Sequence, residues 1–208
     1  MLKYLTLLFL CPAVFGAMDT VTIKHRYYST TFDRTLKYPV LVHWWVTKRM
    51  LSCQNRIDRD ERFRPDPLLN GTDLENSYKG SGYDRGHNMP AYDNGCDSVG
   101  MSECFYFSNM APQTPRVNRG DWKELEKYTR DTCLKYDSIK VWCGSVGSVK
   151  KIGSVTVPKY CWKVLYIKKL RTYQAYLFAN DTSASTTVQA HRTTTGALYK
   201  LTKIRVKK

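Results

Sequence analysis

Between residues 114 and 135 the sequence predicts one long amphipathic helix, with strand-like segments on both sides of it. This pattern limits the fold more than any other stretch of the chain. Trp122, Leu125 and Tyr128 or Thr129 fall on one helical face and need a partner layer to cover them. The helix has two possible starts. Thr114 followed by Pro115 suits a cap with proline at the first helical position, whereas Asp121-Trp122-Lys123-Glu124 begins a helix just after Gly120. Segment 38–47 (YPVLVHWWVT) is rich in strand formers and reads as a buried strand. Segments 104–108, 139–144, 161–168 and 173–179 read as further strands. Strands before and after one strong helix imply an α+β domain, with helices packed on a mostly antiparallel central sheet. Residues 54–82, with Pro65, Pro67 and several glycines, read as an extended surface loop. Residues 200–208 are basic but alternate with Leu201, Ile204 and Val206, so they form a last strand or helix rather than a loose arm.

The chain has 208 residues, the size of one domain with a real core. Its start differs from the rest. Met1 to Lys3 are positive, Tyr4 to Phe15 are almost entirely apolar, and Gly16-Ala17 are small. That layout predicts a secretory signal peptide over 1–16 and a single domain over 17–208. Cys11 is no lipidation site, because bulky Leu10 precedes it. No later apolar run approaches the ~18 residues of a membrane span. Export gives the cysteines a role. Seven are present, and loss of Cys11 leaves six, an even number that reads as disulfides. Cys96 and Cys104 are near enough to close a short loop. No CxxC pair and no zinc-spaced histidines occur. Asn70-Gly71-Thr72 and Asn180-Asp181-Thr182 have the form of glycosylation sequons.

The formal charge is +15. Such an excess gathers polyanions, with nucleic acid the leading partner and acidic lipids or glycans the alternatives. Two stretches carry groups for chemistry on such a partner. In Asp84-Arg85-Gly86-His87, an extended backbone sends Arg85 and His87 to the same side. Arginine can hold a phosphate through its forked donors, and histidine, with an ordinary pKa of about 6.5, can take a proton from water. Gly86 lets a ligand or a neighbouring strand come close. The plain alternative is a charged strand end. In residues 108–126, Asn118, Trp122 and Glu126 recur every four residues along one side of a helix. Eight residues of helical rise is about 12 Å, too far for Asn118 and Glu126 both to bind one ion directly. One serves as ligand and the other as holder of the ion's water, a hard-oxygen site of the kind magnesium accepts. The plain alternative is a solvated helix face with Trp122 in the core.

Together the two stretches closely resemble the DNA/RNA non-specific endonuclease family, a group of ββα-metal (His-Me finger) nucleases. Its Asp-Arg-Gly-His signature is residues 84–87, and its second signature is matched by Asn109, Pro112-Gln113, Asn118, Trp122 and Glu126. Weaker likeness extends to 157–166 and 175–181. The resemblance implies a ββα-metal active site within the α+β fold. It implies that His87 is the general base, its other ring nitrogen fixed by a backbone carbonyl. Asn118 is then the direct protein ligand of a magnesium ion, for which manganese can substitute. Glu126 holds the ion's water, Arg85 clamps phosphate, and Asn109 supports the site. It further implies DNA and RNA as substrates, single- or double-stranded, and products with 5′-phosphates. One departure stands out: Glu61 sits where the family has an arginine, and Arg59 or Arg62 is expected to supply that phosphate contact. The expectation is a secreted, magnesium-dependent, sugar-non-specific endonuclease. The competing expectation is a catalytically silent, cationic extracellular protein that binds nucleic acid.

Overall fold

The structure, a computed structural model, describes residues 19–59, 62–183 and 187–207. The leader expected over 1–16 and Glu61 lie outside the described residues. In chain order the strands are β1 (Thr20–Lys24), β2 (Tyr28–Asp33), β3 (Tyr38–Thr47), β4 (Asp84–His87), β5 (Met110–Gln113), β6 (Ser138–Val146), β7 (Lys150–Ile152), β8 (Val155–Val157), β9 (Tyr160–Ile167), β10 (Thr172–Ala179) and β11 (Arg192–Thr193). The helices are α1 (Lys48–Leu51), α2 (Glu75–Tyr78), α3 (Ser98–Glu103), α4 (Pro115–Arg119), α5 (Asp121–Tyr136) and α6 (Thr195–Thr202).

Seven strands form the central sheet in the order β1-β2-β3-β6-β9-β10-β11, and every neighbouring pair is antiparallel. Strand β3 coincides with the expected 38–47, and its alternation explains the layering. Val42, Trp44 and Val46 point to one face, where they pack with Trp122, Leu125 and Cys133 of α5. The opposite face carries Trp142, Trp162, Val164 and Tyr166, and Leu198 of α6 packs against them. Ile204 and Val206 of the tail join that layer, so the alternation at the C-terminus reflects packing after α6 rather than one continuous element.

The predicted helix over 114–135 is two helices. Each proposed start is correct for one of them. The Thr114 hydroxyl accepts from the Val117 amide at 3.3 Å, with Pro115 opening α4, and α5 begins at Asp121. Gly120 makes the break, because a Cβ there would lie 2.5 Å from the Arg116 carbonyl oxygen. The strand expected at 104–108 does not form. Cys104 closes α3 and Phe107–Asn109 make a single 3-10 turn. Phe105 and Phe107 are both fully buried, so the run is apolar because it is enclosed on all sides, not because it alternates across a sheet. The loop over 54–82 is mostly irregular but contains α2.

The Cys96–Cys104 pairing is also corrected. Cys96 is bonded to Cys53, their Cα atoms 5.8 Å apart. The end of α3 turns Cys104 inward, where its thiol donates to the Met101 carbonyl at 3.0 Å. Cys133, Cys143 and Cys161 are likewise buried thiols, so one disulfide, not three, is present among the described residues. Of the two sequons, Asn70 is exposed, whereas Asn180 is buried. The Asn180 amide donates to the Pro112 and Pro158 carbonyls at 2.8 and 3.0 Å and accepts from the Thr114 amide at 2.9 Å. That side chain is a strut between β5 and the sheet, with no room for a glycan. Among the described residues no helix is long and apolar enough to cross a membrane.

Candidate active site

Strands β4 and β5 pair antiparallel, with Asp84 opposite Gln113, Gly86 opposite Ala111 and His87 opposite Met110, and α4 and α5 follow directly. This is a ββα unit laid against the main sheet. Gly86 permits the close pairing: a Cβ there would sit 2.2 Å from the Gln113 side-chain oxygen. The glycine serves the neighbouring strand. Helix and strand are tied by Trp122, whose indole N–H donates to the His87 carbonyl at 3.2 Å.

The His87 ring is buried against Phe105, which meets it edge-on at 4.9 Å, and Phe63 at 5.6 Å. A hydrogen bond to the Arg85 backbone holds one ring nitrogen, while Nε2 is buried with no partner among the described residues. The bonded nitrogen is therefore Nδ1, and the tautomer leaves the Nε2 lone pair available. Burial, reinforced by the positive charge of Arg59, pushes the ring's pKa down to about 3 against the opposing backbone bond. The imidazole is neutral throughout the neutral range.

Asn118, on α4, faces the same cleft. Its amide N–H donates to Asp84 Oδ2 at 2.9 Å, and Arg119 grips the same carboxylate through Nε and Nη2 at 2.8 and 2.6 Å. Burial alone would raise the Asp84 pKa, but these hydrogen bonds outweigh it and hold the carboxylate below its usual range. With the amide nitrogen committed to Asp84, the amide oxygen is the atom Asn118 can offer a cation. Glu126 is two turns along, on α5, with its side chain 15 % exposed. Burial raises its pKa, countered by the buried Lys163, whose ammonium is 4.0 Å from Oε1 and 4.1 Å from the centre of the Trp122 ring.

These groups share one cleft of about 480 Å³. Arg59 and Arg85 line it beside His87, and Arg119, Lys123 and Arg130 line it beside Asn118 and Glu126. Among the described residues, five cationic side chains thus share the lining with a single carboxylate, a composition suited to a polyanion. Among the described residues no three His, Cys, Asp or Glu side chains gather as metal ligands. The donor set is an amide oxygen and one carboxylate, which fits a hard cation that keeps most of its water, as magnesium does.

His87, Arg85, Asn118, Glu126 and Arg59 are brought together; Arg62 and Asn109 are not. Arg62 lines an adjoining hollow of about 540 Å³, which Arg59 and Arg85 also border. Asn109 is fully buried outside the cleft. Its amide donates to the Met89 and Cys104 carbonyls at 2.9 and 2.8 Å and accepts from the Met89 amide at 3.0 Å. It braces the turn after His87 from behind, so it supports the site without reaching into the cleft. The sequence reading missed Asp84 as the clamp on Asn118, and it missed Arg119, Lys123 and Arg130. Arg130 had a legible signal, because it stands one helical turn after Glu126 on the same face.

Comparison with known proteins finds nucleases similar in sequence. The chain is 31% identical over 154 residues to a nuclease of Nostoc sp., covering 72% of this chain and 55% of that protein. It is 33% identical over 173 residues to mitochondrial nuclease 1 of Schizosaccharomyces pombe, covering 74% and 53%. It is 32% identical over 154 residues to human mitochondrial endonuclease G, covering 62% and 52%. The chain thus spans about half the length of the curated relatives it matches. A chain from the crystal structure of an EndoG/EndoGI complex shares the fold, with a TM-score of 0.79 over 92% of this chain and 86% of that one, at 23% identity. The sequence profile described as DNA/RNA non-specific endonuclease matches residues 11–207, and the chain belongs to that family.

Proposed function

We propose that the protein is a magnesium-dependent endonuclease that hydrolyses phosphodiester bonds of DNA and RNA and leaves 5′-phosphate ends, with manganese able to replace magnesium. The observation that carries this reading is the Nε2 of His87, without a partner among the described residues, in the same cleft as Asn118 and Glu126. Arg59 and Arg85 hold the oxygens of the scissile phosphate. Bases are not read, because contacts to the shared backbone suffice. His87 Nε2 takes a proton from the water that attacks phosphorus. The Nδ1 bond to the Arg85 backbone strengthens as the ring gains charge. The bond from phosphorus to the 3′-oxygen breaks, that oxygen takes a proton from solvent water, and the phosphate stays on the 5′ side, while His87 returns its proton to solvent. Asn118 would hold the cation through its amide oxygen, with Asp84 fixing the rotamer, and Glu126 would hold water beside it. When bound, the cation stabilises negative charge on the leaving oxygen and the phosphate.

The test is incubation of purified protein with single- and double-stranded DNA and RNA, with magnesium or with chelator. Cleavage of all four only with the metal is expected, as is its loss in His87→Ala with binding retained. Intact nucleic acid beside a robust gel shift would instead favour the silent binding protein. We also propose export, supported by the apolar start of the sequence and the Cys53–Cys96 disulfide. Protein collected from culture medium should then begin at Ala17, and retention in the cell with Met1 intact would refute it.

A further inference from the structure

Arg85 is only half used. Its Nη2 is ion-paired with Oε1 of Glu75, at the start of α2, while its buried Nε has no partner among the described residues. The guanidinium lies over the Phe63 ring, its carbon 4.9 Å from the ring centre, so packing supports it as well as the acid. Nε and Nη2 form the edge of the fork that grips two oxygens of a phosphate side by side. Glu75 therefore satisfies one of the two donors a phosphate would take. It also stands among the three arginines, Arg59, Arg62 and Arg85, that border the hollow beside the catalytic cleft, and among the described residues it is the only acid in that lining. A carboxylate opposes the entry of a polyanion there, yet its side chain is 45% exposed and the pair is easily exchanged.

Resting on the nuclease reading above, we propose that Glu75 is an internal phosphate mimic. It occupies Arg85 in the empty protein and is displaced when a strand places a phosphate on the full fork and its neighbouring nucleotide in the hollow. The exchange makes binding depend on a chain that reaches both sites. A mononucleotide product cannot hold Glu75 away through the second site, so the carboxylate returns and assists release.

The experiment measures anisotropy of a short fluorescein-labelled oligothymidylate in chelator, for the full protein and for Glu75→Gln and Glu75→Ala. Without metal no cleavage intervenes, so the result is independent of turnover. Removing the charge should tighten binding roughly five-fold, the scale of an exposed ion pair. It should also steepen the plot of log Kd against log salt by up to about 0.7, since in the wild type the displaced carboxylate offsets part of the cation release that accompanies the Arg85–phosphate contact. Weaker binding in both variants would make Glu75 a brace for Arg85 and overturn the proposal, as would unchanged affinity and slope. Absence of binding by all three proteins would sink the nucleic-acid reading with it, whereas binding that ignores position 75 sinks only this one.

Discussion

At the scale of single residues, His87 is both the most legible group and the most altered by folding. Its motif names it in the sequence. Its ionisation is not written there, because the residues that set it, Phe105, Phe63 and Arg59, come from separate segments. The consequence for stability has a definite sign. Below about pH 6.5 the unfolded ring binds a proton that the folded ring refuses until about pH 3. The unfolded state then holds more protons, so this group costs the fold up to about 1.4 kcal/mol per pH unit as pH falls through that window, and nothing above it. Asp93 and Glu126 act in the opposite sense. Burial raises both, so the folded state takes up their protons first and gains stability as pH falls. The histidine contribution is isolated by comparing urea unfolding of the wild type and His87→Gln from pH 7 down to pH 5. The wild type should lose ground to the variant with each step. A constant gap would mean that the ring ionises as freely in the fold as in the unfolded chain.

At the scale of elements, strands β3, β6, β9 and β10 were legible because half-buried strands alternate and fully buried ones are dense in valine, tryptophan and tyrosine. The failures have separate causes. The aromatic run at 104–108 is enclosed on all sides, which a short apolar run shares with a buried strand, and the helix over 114–135 breaks where a Cβ at Gly120 would meet the Arg116 carbonyl oxygen, an approach that the apolar periodicity does not record. The same factor governs Gly144 in the centre of β6. A Cβ at that position would lie 2.0 Å from the Val40 carbonyl oxygen and 2.6 Å from its carbon, both backbone atoms of β3. Since β3 and β6 are central neighbours in the sheet, neither can retreat without breaking pairs such as Val42 with Cys143. Gly144→Ala should therefore destabilise the protein by roughly 3 kcal/mol, at the upper end of overpacking effects. Gly86→Ala should cost less, because there the atoms met belong to the end of a glutamine side chain. Equal unfolding midpoints for the two variants would show that the sheet tolerates the added carbon by sliding.

At the scale of the whole molecule, the α+β architecture and the polyanion-seeking charge were both legible, since each is a sum over many residues. The cysteine pattern was not, because an even count says nothing about which thiols the core will enclose. Charge distribution lies between these cases. The formal +15 belongs to the entire chain, whereas the cleft concentrates Arg59, Arg85, Arg119, Lys123 and Arg130. Counterion release separates the two. If the cleft alone engages a single strand, at most five phosphates are neutralised, and the slope of log Kd against log salt should be roughly 3 to 4. Arg119 and Arg85 enter binding already paired with Asp84 and Glu75, which lowers the value for a short strand further. Titration of His87→Ala in chelator with oligonucleotides of increasing length measures this directly. The slope should plateau once the strand outgrows the cleft and the adjoining hollow. A slope that keeps climbing with length would assign binding to the diffuse positive surface, and a flat profile would remove charge from the capture of substrate altogether.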